Sequence, residues 1–264
     1  MNPTKPTFVA NAGRQVIELA SFVGSLVVFL ASSARTIVRR GFPVRVVVLQ
    51  LYEIGLKTLP LTAIASFAIG VVLALQTIVM LRKFGAVHYV AVVVGLSVTK
   101  ELGPVVTALM VAGRAGSGIS AELGSMKVTR QIDALQVLAV DPRQYLVATR
   151  ILACVLAVPL LAAISDLLGI LGGALVAVTA GGVPPSTYLE TTLYYVTLND
   201  LLTGLGKTVI FGLIVGTTAS FYGFRTEGGT SGVGRATTNT VVTASLMIFI
   251  TDVFMTQILV SLGF

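Results

Sequence analysis

Five apolar runs of about twenty residues or more leave this 264-residue chain little to fold into except a bundle of helices in a lipid bilayer. They cover about 54–81, 87–111, 146–178, 201–221 and 240–262. A helix rising 1.5 Å per residue crosses the roughly 30 Å hydrocarbon layer in about twenty residues, so each run is long enough to span. Hydrophobic residues make up 55% of the chain and charged ones 11%, at a mean hydropathy of +0.94, and no separate soluble domain is visible. The expectation is an all-α integral membrane protein with about five transmembrane helices. Residues 1–45 are expected as an N-terminal cytoplasmic or interfacial helix, and 46–264 as one polytopic domain.

Such a chain has few side chains with which to do chemistry. Cys154 is the only cysteine and lies inside an apolar run, which excludes an internal disulfide and a thiolate metal cage. His88 is the only histidine, which removes most metal and acid–base constellations. We therefore expect no catalytic residues, no metal ligands and no cofactor in this chain. The net charge of +7 has no basic run and no aromatic platform behind it, so nucleic acid is not its partner.

Those cations report topology instead. Lys5, Arg14, Arg35, Arg39, Arg40 and Arg45 precede the first span; Arg114, Lys127, Arg130 and Arg143 lie between the second and third; Arg225 and Arg235 lie between the fourth and fifth. All three places fall on one side of the membrane, which the positive-inside rule makes cytoplasmic. Arg82 and Lys83 are the exception, while the outer loop 180–200 carries Glu190 and Asp200 but no Lys or Arg. This places the N-terminus in the cytoplasm and the C-terminus outside. Pro184 and Pro185 break the outer loop, with a short surface helix expected over 187–196. Residues 16–31 resemble a signal peptide, but Glu18 within the run and the basic cluster after it favour a helix lying in the cytoplasmic interface.

Gly206-Lys207-Thr208 looks like the end of a phosphate-binding loop, yet Leu201 stands where that loop needs a glycine, and no strand precedes it. Lys207 is read as a cation near a membrane boundary, and any ATP that drives the protein is bound by another subunit. Gly169 with Gly173, and Gly212 with Gly216, form small-xxx-small pairs suited to close helix packing.

The polar interruption from Lys100 to Pro142 is the informative part. Lys100 and Glu101 sit well inside the second span, just before Gly103 and Pro104, which are expected to disturb the helix. Adjacent helical residues point about 100° apart, so each must find partners on other helices. Two readings stay open: a mutually neutralising structural pair, or a polar spot in an internal cavity. Gly113-Arg114-Ala115-Gly116-Ser117 follows and reads as a rigid small-residue turn. Ile132, Leu135, Gln136 and Ala139 then recur at helical spacing, with Lys127, Arg130 and Asp133 on other faces. Such an amphipathic helix either floats at the interface or plugs into a groove on a soluble partner.

At these residues the chain resembles a known family. KELGPVVTALMVAGRAGSGISAELGSMKVTRQIDALQVLAVDP is similar to the signature of MlaE/YrbE-type permeases, the membrane subunits of MCE-associated ABC lipid transporters. Phe67 to Gln76 resembles the family's first-span pattern, Asp166 to Gly173 its third, and Gly232 to Thr238 with Asp252 its last, covering about 45–262 in order. Thr149 stands where many members have proline, and residues before Val44 match poorly.

The resemblance implies a homodimeric permease in the inner membrane of a Gram-negative-type envelope. Two cytoplasmic ABC ATPase subunits would bind the ATP, an MCE-domain protein would stand on the periplasmic side, and the cargo would be lipid, phospholipid first among the candidates. It implies that 121–138 is a cytoplasmic coupling helix docking on the ATPase, with Arg114, Glu122, Gly124 and Met126, then Gln131, Asp133 and Leu135, as coupling residues. It further implies a central lipid cavity at the dimer interface with Lys100 and Glu101 beside Leu73, Leu75 and Gln76 of the first span. A greasy cavity with a few polar groups suits a lipid. Two rivals remain: an ion-coupled secondary transporter, against which the charges at Lys100, Glu101, Asp166, Lys207 and Asp252 look scattered, and a membrane scaffold that anchors a soluble enzyme.

Overall fold

The computed structural model describes residues 8–262, with the side chains of 8–16, 18–19 and 37–40 outside the description. Lys5 therefore lies outside the described residues, as do the side chains of Arg14, Glu18, Arg39 and Arg40 on which the interfacial reading of the N-terminal run leaned. Among the described residues the chain is all helix and turn. Five helices are long and apolar enough to cross a membrane, and a shorter apolar stretch, Ala20–Thr36, lies ahead of them.

That stretch belongs to α1, Phe8–Arg40, which runs well beyond the 16–31 expected and stops at Gly41, whose φ of +70° suits a residue without a side chain. The first span, α2 (Val44–Arg82), starts directly after Pro43, about ten residues earlier than its hydropathy suggested. Its early part is held by burial of Val47 and Ile54 against the third span.

The second span, α3 (Val87–Val128), corrects two expectations. Neither Gly103-Pro104 nor Gly113–Ser117 makes a turn. The helix widens instead into π-helical segments at Val98–Leu102 and Ala112–Gly116 and continues. The physical reason is that a chain in lipid has no water to satisfy freed backbone groups, so the hydrogen-bond ladder slips by one residue rather than opening. Pro104 then falls in the first turn of the resumed α-helix, where its missing N–H leaves no partner waiting. At 42 residues α3 is about 63 Å long, so it projects far beyond the hydrocarbon layer.

Past α3 the expected single coupling helix over 121–138 is two pieces. Residues up to Val128 finish α3; a left-handed Arg130 turns the chain, and α4 (Gln131–Val137) follows, ended by Ala139, also left-handed. The third span, α5 (Arg143–Thr179), opens with a π-helical segment at Arg143–Ala148 and carries Pro159. The outer loop holds α6 (Pro185–Tyr195), anchored by the buried Tyr188, whose hydroxyl donates to the carbonyl of Ile170 at 3.2 Å. The fourth and fifth spans are α7 (Leu198–Phe224) and α8 (Gly229–Ser261).

The third span sits at the centre, packed on α2 and α7. Both small-residue pairs serve close approach. A side chain at Gly212 or Gly216 would collide with the backbone of Cys154 or Ile151, and one at Gly169 or Gly173 with Val98 or Val94. The basic places gather at one end of the bundle: the Gln144 amide donates to the Gly41 carbonyl at 3.1 Å, Arg114 to the Glu53 carbonyl at 3.2 Å, and Gly124 packs on Thr226. Arg82, the exception, is at the opposite end and donates to the Ala180 carbonyl at 2.8 Å, a cation satisfying the C-terminus of α5.

Candidate functional site

The π-helical segment Val98–Leu102 offsets the register at Lys100 and Glu101, and the two side chains part to different partners rather than neutralise each other. The Lys100 ammonium meets Asp200 Oδ1 at 2.7 Å, near the outer start of α7. Asp200 is already fixed there: its other oxygen accepts from the Thr197 hydroxyl at 2.7 Å and the Thr197 backbone N–H at 2.8 Å, in a capping box.

Glu101 turns toward Lys207, which donates to Glu101 Oε2 at 2.7 Å, Asp252 Oδ1 at 3.2 Å, Thr256 Oγ1 at 2.7 Å and the Lys100 carbonyl at 3.2 Å. The Thr256 hydroxyl donates in turn to Glu101 Oε1 at 3.1 Å. Lys207 is only 1% exposed, which overturns its reading as a cation near a membrane boundary. It reaches Glu101 because Gly204, one turn earlier, lies flat against the Thr99 carbonyl and Pro104, where any larger residue would hold α7 off. Four of the five charges that looked scattered thus gather with Asp200 across three spans, as two adjoining groups: Lys100 with Asp200, and Lys207 with Glu101 and Asp252. Asp166 stays apart. It is buried against Gly103, and neither of its oxygens has a hydrogen-bond partner among the described residues.

Beside the cluster, Leu102 and the α2 residues Leu73 and Gln76 line an apolar cleft of about 320 Å³. Leu73 and Gln76 share this cleft, and neither Lys100 nor Glu101 is in its lining. Leu75 does not line the cleft and lies half exposed on another face of α2. Apart from Gln76 its lining is apolar, which suits hydrocarbon tails.

The other predicted residues lie at the basic end. Arg114 donates to the Thr58 hydroxyl at 3.0 Å as well as to the Glu53 carbonyl, tying α3 to α2. Glu122 pairs with Arg150 of α5 at 2.7 Å; Arg150 is 2% exposed and also donates to the Leu146 carbonyl at 2.9 Å. Met126 and Leu135 pack on the core around the buried Ile132, and Asp133 pairs with Lys127 at 3.3 Å. Gln131 opens α4 and Gly124 contacts Thr226. Val137 and Leu138, at 87% and 72% exposed, point away from the bundle. Sequence reasoning missed Asp200, Thr256 and Arg150. A single basic residue inside a third run of apolar residues was the available signal for Arg150.

Comparison with known proteins gives a consistent picture. Residues 47–258 match the model of the family described as permease MlaE. A "Probable ABC transporter permease protein" of Rickettsia felis is 39% identical over 251 residues, 95% of this chain and 97% of that protein. The "Intermembrane phospholipid transport system permease protein MlaE" of Haemophilus influenzae is 37% identical over 259 residues, 97% of this chain and 98% of its own length. A "Probable ABC transporter permease protein" of Synechocystis is 36% identical over 210 residues, 80% of each chain.

Proposed function

The chain belongs to the MlaE permease family, and from that membership we propose that it is the membrane-spanning subunit of an ATP-driven transporter that moves phospholipid between membranes. The observation that carries this reading is the apolar cleft lined by Leu73, Gln76 and Leu102, which suits lipid tails, with Glu101 of the ionic cluster next to Leu102 along the chain. The H. influenzae relative is named for phospholipid transport, in keeping with that chemistry.

In this reading two copies pair. The exposed apolar faces of α2 and α8, with Ile64, Val72 and Val79 on one and Leu246, Phe249 and Val253 on the other, supply surface for a second copy and for lipid. ATP is bound and hydrolysed by ABC ATPase subunits docking at α4, where Val137 and Leu138 stand free to enter a groove. An MCE-domain protein receives or delivers lipid on the periplasmic face. The protein is a multi-pass membrane protein; its N-terminus is cytoplasmic, its C-terminus periplasmic and its membrane the inner one, as the basic end of the bundle supports. The chain itself needs no cofactor.

ATPase closure presses on α4 and the end of α3. Glu122 passes that displacement to α5 through Arg150, and Arg114 passes it to α2 through Glu53 and Thr58, so the cleft narrows and its lipid leaves. The test is reconstitution of the complex in vesicles. Lipid transfer should require ATP, Glu101→Ala should change lipid co-purification without loss of assembly, and Glu122→Lys or Asp133→Lys should uncouple hydrolysis from lipid. Transfer that proceeds equally without ATP would overturn the proposal. The clustering of five ionisable side chains also serves an ion-coupled transporter, a second reading that ion flux from the purified chain alone would establish.

A further inference from the structure

At the turn between α7 and α8 the fold builds a second polar cavity, about 230 Å³, lined among others by Tyr222, Arg225, Glu227, Arg235 and Asn239. The Arg225 guanidinium lies 4.1 Å over the Phe221 ring, which fixes its plane and leaves its N–H edge to other acceptors. Neither Arg225, Arg235 nor Glu227 has an ion-pair partner among the described residues.

Deeper along the same α7–α8 seam, about two helical turns or roughly 12 Å away, is a small, mainly apolar cleft of about 90 Å³, with Thr217 and Thr218 also in its lining. It lies between Leu26, Val27 and Leu30 of α1, Ile214 of α7 and Met247 of α8. Phe22 and Phe29 of α1 pack edge-on against Phe221, at 5.8 and 5.7 Å, and so hold α1 against α7 beside the seam. Both spans end at the polar cavity, which sets it at headgroup depth, and the apolar cleft lies where acyl chains run.

We propose that this seam is a lipid-binding site separate from the transport cleft, and that it holds one glycerophospholipid with an ethanolamine head. Arg225 and Arg235 take the phosphate through charge-assisted hydrogen bonds, Glu227 takes the ammonium, and a few methylene groups of one acyl chain enter the cleft under α1 while the rest of the chain stays in the bilayer. A glycerol head would leave Glu227 facing the lipid without a cation. Free phosphate would satisfy the guanidinium groups but leave the apolar cleft empty. Which leaflet supplies the lipid rests on the orientation proposed above; the site itself does not.

Native mass spectrometry of the full-length chain, titrated in detergent with phosphatidylethanolamine, phosphatidylglycerol or inorganic phosphate, tests it. The ethanolamine lipid should bind most tightly. The double variant Arg225→Gln/Arg235→Gln should weaken it at least about tenfold, as expected for losing charged hydrogen bonds. Val27→Trp, which fills the cleft from an exposed position, should weaken both lipids with all charges intact. Glu227→Gln should abolish only the preference for ethanolamine over glycerol. Undiminished binding to the double variant overturns the site, and displacement of the lipid by inorganic phosphate overturns its assignment to a lipid. Glu101→Ala should leave this adduct in place, so a failed transport reading and a failed seam are told apart.

Discussion

Two ionic joints hold helices of this bundle together, and they are built on opposite plans. Around Lys207, deep in the spans, one ammonium has four acceptors: Glu101, Asp252, Thr256 and the Lys100 carbonyl. At the basic end, buried Arg150 has a single carboxylate, Glu122, half of which faces outward. A group bonded on every side cannot move without leaving several partners unpaired, so the first joint fixes α3, α7 and α8 in one arrangement. The second has one contact to break and water nearby to receive the carboxylate, which is what a joint needs if it opens and closes in a working cycle.

The largest effect that separates them is expected from Lys207→Met. It strips the shared cation from Glu101 and Asp252 and leaves two carboxylates facing each other in a partly buried site, an arrangement that costs about 3–5 kcal/mol when one partner of a buried pair is lost. Thermal unfolding in detergent should show a large fall in Tm. An unchanged Tm would mean the cluster does not hold the spans.

The joint at the basic end should respond asymmetrically. Glu122→Ala leaves the Arg150 guanidinium buried and short of an acceptor, at a cost of about 1–3 kcal/mol, whereas Arg150→Met frees a carboxylate that water can solvate and should cost less. Both should impair ATP-driven lipid transfer by the assembled complex more than they lower its Tm. Equal Tm losses, or transfer untouched in both variants, would remove this joint from the coupling route.

Much of this was legible in the residues, and the gaps have identifiable causes. Five spans follow from apolar runs alone, because in lipid the backbone must satisfy itself and only long helices do so. The Gly-Arg-Ala-Gly stretch was expected as a turn by a rule taken from water, where glycine ends helices; here Ala112–Gly116 is a π-helical segment, and the disturbance expected at Gly103-Pro104 is the π-helical Val98–Leu102 just before them. Lys207 was misplaced because its phosphate-loop look-alike was dismissed without asking which acids in other spans a buried lysine needs. Hydropathy ranks Lys207, Asp252 and Glu101 only as interruptions, and their meeting depends on Gly204 letting α7 touch α3, a contact between distant segments that no local pattern encodes.

Within the cluster the comparison can be drawn finer. Glu101→Gln keeps an acceptor for Lys207 and Thr256 but removes the charge, so a moderate loss of about 1 kcal/mol is expected, with a change in retained lipid. Lys100→Gln should do least. Lys100 is a third exposed, and Asp200 loses one partner of three, since the Thr197 hydroxyl and backbone N–H still hold it. Exposed pairs of that kind are worth about 0–1 kcal/mol, and the measured drop should shrink further as salt is raised. If Lys100→Gln instead matched Lys207→Met in unfolding, Lys100 would belong to the same fixed core as Lys207.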